Sequence, residues 1–274
     1  MRRVRNRWMQ PAINLAIVVA LLTALSYLPP DTSLADRQKT GVLKLCVPPS
    51  YPPLVTGDPN EPGFDIELAA KVAADLGLRL SVNTLSSIGK DFNPRNWALT
   101  RAQCDIIAGG VADTVQTRSF LQTIPTPIET GWVGVGKSPE LPEAGATVAV
   151  LAGSSGLDRL QVSGWLRRNG WRTMPARSAL QFTGVLDSGA ASFGVTERSG
   201  LAALVLPAGV EVFALPAAEF PQYRMAFGLW KGDQTLKRAV EAAIGKLERS
   251  GELARLADRY GTKGYQRFSQ ELVP

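Results

Sequence analysis

Hydrophobic residues fall into short runs and helical stripes that alternate along most of the chain. Val42–Val47 is a compact apolar run and predicts a strand. Pro48-Pro49-Ser50-Tyr51-Pro52-Pro53 predicts an irregular loop, because proline offers no N–H to a ladder and breaks a helix. From Phe64 to Leu76, Ile66, Ala69, Ala70, Ala73 and Leu76 share one face, while Asp65, Glu67, Lys71 and Asp75 fall elsewhere. That period predicts a helix, opened by Gly63 and stopped at Gly77. Leu78, Leu80 and Val82 alternate with polar residues, as in a half-buried strand. A helix over Asn96–Ala102 and a buried strand over Cys104–Ala108 complete a strand-helix-strand-helix-strand unit, the pattern of a right-handed crossover in a mainly parallel sheet.

The pattern repeats in kind. Thr147–Leu151 predicts a strand, Gly153-Ser154-Ser155-Gly156 a small-residue loop and Leu157–Arg168 a helix. Trp171–Ala176 and Ala191–Val195 read as strands around a helix at Ser178–Leu186, and Thr196-Glu197 begins a further helix. Gln222–Leu229 predicts a strand. Two helices follow: Gln234–Arg249, with Leu236, Val240, Ile244 and Leu247 inward, and Glu252–Tyr260, ended by Gly261. The fold class is α/β, in two units that each bury a core.

The N-terminus breaks the pattern. Arg2, Arg3, Arg5 and Arg7 precede an almost wholly apolar run, Ala12–Leu28, interrupted by Asn14. Pro29-Pro30 ends the run, and Ser33-Leu34-Ala35 offers small residues at the −3 and −1 positions of a cleavage site. This predicts a secretory signal peptide over residues 1–35. An uncleaved anchor is the alternative, although the run falls a little short of the ~20 residues that span a bilayer. No cysteine closely follows the run, so no lipid-acylation site is expected. A polar linker is expected over Asp36–Gly41.

Composition narrows the function classes. Without the first 35 residues, which hold four arginines and one acid, the net charge falls from +6 to +3. That mild charge, with no long basic run, gives no reason to expect a nucleic-acid partner. The chain has no histidine, which excludes Ser-His and Cys-His catalysis. Two cysteines without histidine do not make a zinc site, and no metal or cofactor is expected. Cys46 and Cys104 both sit in predicted strands; they form either a disulfide between neighbouring strands or two buried thiols.

Candidate chemistry lies just past the ends of strands, where open α/β sheets bind ligands. After Cys104–Ala108 come small residues, then Thr114 and Arg118. A helix start near Thr114 offers free N–H groups, and Arg118 is a planar fork suited to a carboxylate. Glu197, in the other unit, can take an ammonium. Together they suit a zwitterion held between two halves that close by a hinge. Thr114, Ser154 and Ser155 can add hydroxyls, Gly110 and Ser155 backbone amides, and Tyr51 and Phe92 aromatic faces. The plain alternatives are a surface arginine, an acid complementing a helix dipole, N-capping serines and core aromatics.

These residues carry a resemblance to the type 2 periplasmic solute-binding proteins of the polar amino-acid uptake family, solute-binding family 3. Leu43–Leu54 resembles its first strand and Tyr-Pro-Pro loop, Gly63-Phe64-Asp65-Ile66-Glu67-Leu68 its Gly-Phe-Asp signature, and Asp105–Arg118 its strand, Thr and Arg clamp. Val148–Ser155 and Val195–Glu197 resemble the second-lobe loop and the acid that binds the ammonium. The likeness covers Gly41–Thr262. It implies a two-lobed fold: lobe 1 from 41–129 plus 226–274, lobe 2 from 130–225, and hinges near Pro127–Thr130 and Met225–Phe227. Three departures stand out. The family spaces its clamp Thr-x-x-Arg, whereas one extra residue separates Thr114 from Arg118 here. Pro48 replaces an acid that some members use to read a basic side chain, and Ala112 replaces a hydroxyl residue. The resemblance therefore implies a small, neutral or weakly polar ligand.

The leading expectation is an extracytoplasmic, monomeric binding protein that delivers an amino acid or similar carboxylate to the membrane subunits of an ABC importer. Two other classes remain. One is a periplasmic cyclohexadienyl dehydratase-like enzyme, with Glu197 as general acid and Arg118 holding the carboxylate. The other is an accessory or sensory module, favoured if the apolar run stays in the membrane.

Overall fold

The computed structural model describes residues 9–26, 30–153 and 155–261. The chain divides into two compact units, one up to Thr32 and one from Ser33 onward. The first contains helix α1 (Met9–Ser26), which exposes Ile13, Leu15, Ile17, Leu21 and Leu22. No described helix is long and apolar enough to cross a membrane.

The second unit runs, in chain order, through α2 (Ser33–Thr40), β1 (Val42–Val47), α3 (Phe64–Asp75), β2 (Arg79–Thr84), β3 (Ile106–Ile107), α4 (Val115–Phe120), β4 (Leu121–Thr130) and β5 (Trp132–Gly136). It continues with β6 (Thr147–Leu151), α5 (Arg159–Arg168), β7 (Arg172–Pro175), α6 (Ala179–Asp187), β8 (Phe193–Glu197), β9 (Glu211–Ala214), β10 (Tyr223–Trp230), α7 (Gln234–Arg249) and α8 (Glu252–Arg259). One sheet has the order β2-β1-β3-β10-β4 and the other β7-β6-β8-β5-β9. Each is mixed: β1 pairs in parallel with β2 and β3, and β6 with β7 and β8, while the remaining pairings are antiparallel.

The sheets are joined where the antiparallel strands pass between them. β4 and β10 pair from Leu121↔Trp230 to Thr130↔Tyr223, with a register shift between Arg224 and Ala226. Pro125 and Pro127 sit in β4 without breaking the sheet because β4 is an edge strand. Gly131 alone separates β4 from β5, which is the first crossing. The second lies between Ala214 and Tyr223; the expected hinge residues Met225–Phe227 are inside β10.

Both faces of each sheet are covered. In the first lobe, Leu43, Leu45, Phe64, Leu68, Phe227 and Val240 form one layer. Trp97, Ile107, Leu121 and Trp230 form the other. Cys46 and Cys104 belong to this second layer and are joined by a disulfide, with Cα atoms 5.4 Å apart. In the second lobe, Trp165 packs edge-on against both Trp171 and Phe220, at ring separations of 4.8 and 5.0 Å. Val135, Phe182 and Leu186 cover the other face.

Three expectations are corrected. The helix over Asn96–Ala102 is a single 3₁₀ turn, Pro94–Trp97. It is capped by Asn93 and ended by Ala98 in the left-handed region, and Trp97 locks the loop by donating to the Asp91 carbonyl at 2.6 Å. The strand over Cys104–Ala108 reduces to Ile106–Ile107, because Asp105 turns its carboxylate onto the Lys44 N–H at 2.8 Å. The polar linker over Asp36–Gly41 belongs mostly to α2, which is docked rather than free. Ser33 Oγ lies 3.0 Å from Thr235 Oγ1, Leu34 packs against the first-lobe core, and Arg37 pairs with Asp105 at 2.6 Å.

Ser33-Leu34-Ala35, the expected cleavage site, is thus the first turn of a packed helix. A chain beginning at Asp36 loses the Ser33 and Leu34 contacts. Thermal melting of a chain starting at Asp36 should fall a few degrees below that of one starting at Asp31, for a loss of about 2 kcal/mol in burial and hydrogen bonding. Equal melting temperatures would show that these contacts contribute nothing.

Candidate functional site between the lobes

Glu197 is the last residue of β8 rather than the first of a helix; a 3₁₀ turn, Arg198–Ala203, follows it. It is 1% exposed. The Tyr51 hydroxyl, from the first lobe, donates to Glu197 Oε2 at 2.6 Å, and the Ser155 N–H donates to the same oxygen at 3.3 Å. Tyr51 also contacts the Ser199 hydroxyl, which lies 2.8 Å from the Thr130 hydroxyl. With Glu197 ionised, the protons have one consistent direction: Thr130 donates to Ser199, Ser199 to Tyr51, and Tyr51 to the carboxylate. The chain alternates between lobes. Burial raises the pKa of Glu197, opposed by the hydrogen bonds from Tyr51 and Ser155 and by the charge of Arg159. Burial and the neighbouring Glu197 charge hold Tyr51 well above the usual phenol range.

The surrounding backbone leaves room for nothing larger. A Cβ on Gly153 would lie 2.4 Å from Glu197 Oε2 and 2.6 Å from the Tyr51 ring. The Gly156 N–H of the second lobe donates to the Gly110 carbonyl of the first at 2.8 Å. Gly110, expected to offer its amide to a ligand, therefore contributes its carbonyl to lobe closure. Arg159 donates to the Gly89 carbonyl at 2.9 Å and the Gly153 carbonyl at 2.5 Å, so it also bridges the lobes. At the first crossing, buried Arg198 pairs with Glu129 at 2.8 Å, and its N–H donates to the Gly131 carbonyl at 2.8 Å.

Beside this network lies a cavity of about 490 Å³. Phe92 and Thr114–Gln116 line it from the first lobe. Trp132, Gly156, Leu157, Asp158, Gln161, Phe220 and Pro221 line it from the second, with Tyr223 where β10 begins. Trp132 faces Glu197 across the β5–β8 ladder, which links the cavity to the buried acid. Thr114 caps α4 by accepting from the Thr117 N–H at 3.1 Å. Trp132, Asp158, Phe220 and Tyr223 were not anticipated. Trp132 follows the crossing glycine directly, a position that a sequence pattern marks only once the crossing is known.

Arg118 lies elsewhere. Its side chain is about half exposed and pairs with Asp113 at 3.1 Å. It lines a separate groove with Lys231 and Lys237. The extra residue in the clamp explains this. Thr114 sets the helix start, so Thr-x-x-Arg spacing would place the arginine at 117; that position is Thr117, which is fully buried. One further residue rotates a side chain by about 100° on a helix and carries Arg118 away from the cleft. The structure thus brings together Tyr51, Ser155 and Glu197, places Phe92, Thr114 and Gly110 beside them, and leaves Arg118 apart. Ser154 lies outside the described residues.

Asp65, read as a polar position on its helix, is buried and accepts the Gly109 N–H at 2.8 Å. Gly109 has φ 68°, and a Cβ there would lie 2.5 Å from Val55 and 2.8 Å from Pro48. The Gly-Phe-Asp segment therefore fixes the loop after β3 from below.

Two mixed α/β lobes joined by two strand crossings, with a cavity between them, define the two-lobed type 2 binding-protein fold. The chain belongs to the bacterial extracellular solute-binding proteins, family 3, whose model matches residues 43–263. No match was found among curated proteins. Among solved structures, a mutant of ArgBP from T. maritima is 18% identical, over 84% of this chain and 100% of that one, with a TM-score of 0.59. A Streptococcus pneumoniae ABC uptake transporter substrate binding protein with bound histidine is 17% identical, over 84% and 96%, with a TM-score of 0.62. An ancestral amino acid-binding protein, described as a precursor of cyclohexadienyl dehydratase, is 19% identical, over 83% and 98%, with a TM-score of 0.60.

Burial pushes the Asp65 carboxyl up to about 7, against the Gly109 N–H, which lowers it. The folded state then holds a proton that the unfolded state releases near pH 4, so this group makes stability fall as pH rises from about 4 to about 7. Asp65→Asn keeps an acceptor for Gly109 and removes the titration. Denaturant melts across that range should show a flatter stability profile in the variant; parallel profiles would mean that Asp65 ionises freely in the fold.

Proposed function

We propose that this protein is an extracytoplasmic receptor that captures a small amine-bearing solute, an amino acid or a relative of one, between its lobes for an ABC importer. The observation that carries this reading is the buried Glu197 carboxylate at the meeting of the lobes, held by the Tyr51 hydroxyl of one and the Ser155 N–H of the other. An ammonium that displaced Tyr51 from Glu197 would put a positive charge against a desolvated negative one, the strongest pairing that the cleft offers. Family membership and the amino acids named for the neighbours support the same class of ligand. The disulfide suits an oxidising compartment, and the basic, apolar N-terminus suits export. Because α2 is part of the folded unit, we place the end of any cleaved leader before Ser33.

Thermal shift with a panel of amino acids and their amines tests this. A cognate solute at about 100 times its Kd should stabilise the protein by about 2.7 kcal/mol. Glu197→Gln should weaken binding by at least about thirty-fold, as expected when one partner of a buried charge pair is lost. No shift with any member would overturn the reading. Prephenate belongs in the panel: its conversion to phenylpyruvate would assign Glu197 to proton transfer and the protein to carbon–oxygen lyases.

A further inference from the structure

We propose that the cavity between the lobes selects an organic cation, and that its ligand needs no carboxylate. The inference rests on the receptor reading above and names the chemistry that the receptor recognises. Four aromatic residues, Phe92, Trp132, Phe220 and Tyr223, line the cavity, and Asp158 is the one charged residue in its wall among the described residues. Aromatic faces attract alkylammonium and guanidinium groups through the ring quadrupole, most strongly where water is excluded. Phe92 and Tyr223 keep accessible surface in the cavity wall, while Trp132 and Phe220 are packed into the second-lobe core behind them.

The charges around the cavity point the same way. Asp158 stands in its wall, and Glu197 is paired with Trp132 across the β5–β8 ladder. Asp91, next to Phe92, keeps its carboxyl below the usual range through the Asn93 N–H and the Asn96 side chain. The nearby cations are committed to other partners. Arg159 holds the Gly89 and Gly153 carbonyls, Arg198 pairs with Glu129, and Arg118 pairs with Asp113 in a different groove. None of the three lines the cavity. A carboxylate placed there would meet Asp158 and ring faces without a cationic side chain, and at the starts of α4 and α5 the Thr117, Leu160 and Gln161 N–H groups are already taken by the caps Thr114 and Asp158. An ammonium or guanidinium would meet Asp158 and the aromatic residues.

Matched pairs that differ by a carboxylate separate the two cases. Binding of L-arginine and agmatine, L-histidine and histamine, and glycine betaine and tetramethylammonium to the purified full-length chain is measured by calorimetry. The proposal expects at least one decarboxylated member to bind as tightly as its partner or tighter. Phe92→Leu, which keeps an apolar side chain in an accessible loop but removes the ring, should weaken that binding by about ten-fold, the scale of one desolvated cation–π contact. Asp158→Asn, which keeps the helix cap but removes the charge, should weaken it too. Tight binding of the carboxylate members alone would overturn the cation inference and leave the receptor reading standing. Unchanged affinity in both variants would also overturn it. If no member of any pair binds while other amino acids in the panel do, the inference falls alone; if nothing in either set binds, both readings fall.

Discussion

A carboxylate buried where two lobes meet is the constraint on which this structure depends. Glu197 is costly to desolvate, and hydroxyls from both lobes make its burial tolerable. The hydrogen-bonded line from Thr130 through Ser199 and Tyr51 ends on it and passes between lobes at each step. The contact between the lobes and the hydrogen bond that Tyr51 gives Glu197 Oε2 therefore go together, while Glu197 Oε1 stays buried without a hydrogen-bond partner among the described residues. In this structure the donor to Oε2 is the protein's own tyrosine.

The two strand crossings lie close to this contact. Only Gly131 separates the edge strand β4 from β5, so one short passage carries the chain between sheets. The second passage, between β9 and β10, holds Phe220, which packs on Trp165 in the lobe it leaves. Arg198 and Glu129 brace the first crossing from inside. Each core has its own two layers, and the disulfide ties down the layer of the first lobe that faces Trp97 and Trp230.

Much of this was legible in the sequence because it follows from local pattern. The strand at Val42–Val47, the helix from Phe64 and the helices from Gln234 and Glu252 are set by apolar period and by glycine stops. Ser155 and Glu197 drew notice because they stand at or just past the end of a strand, and Tyr51 because it sits in the proline loop after β1. The edge strand β4 was hidden by Pro125 and Pro127, which deny a central strand but not an edge. Asp65 was hidden because an acid on a helix looks solvated until its partner, the Gly109 amide, arrives from a distant loop. Arg118 was misplaced for a purely angular reason: one inserted residue leaves the motif readable and turns the side chain away.

If closure depends on the Tyr51 hydroxyl reaching Glu197, removing that one oxygen must shift the lobes. The direct measurement is the ligand-free distance distribution between spin labels at Glu61→Cys and Arg167→Cys, exposed positions on different lobes, with and without Tyr51→Phe. A distribution that moves to longer distances in the Tyr51→Phe protein is the predicted result. Superimposable distributions would contradict the account, because the lobes would then close without the bond said to hold them.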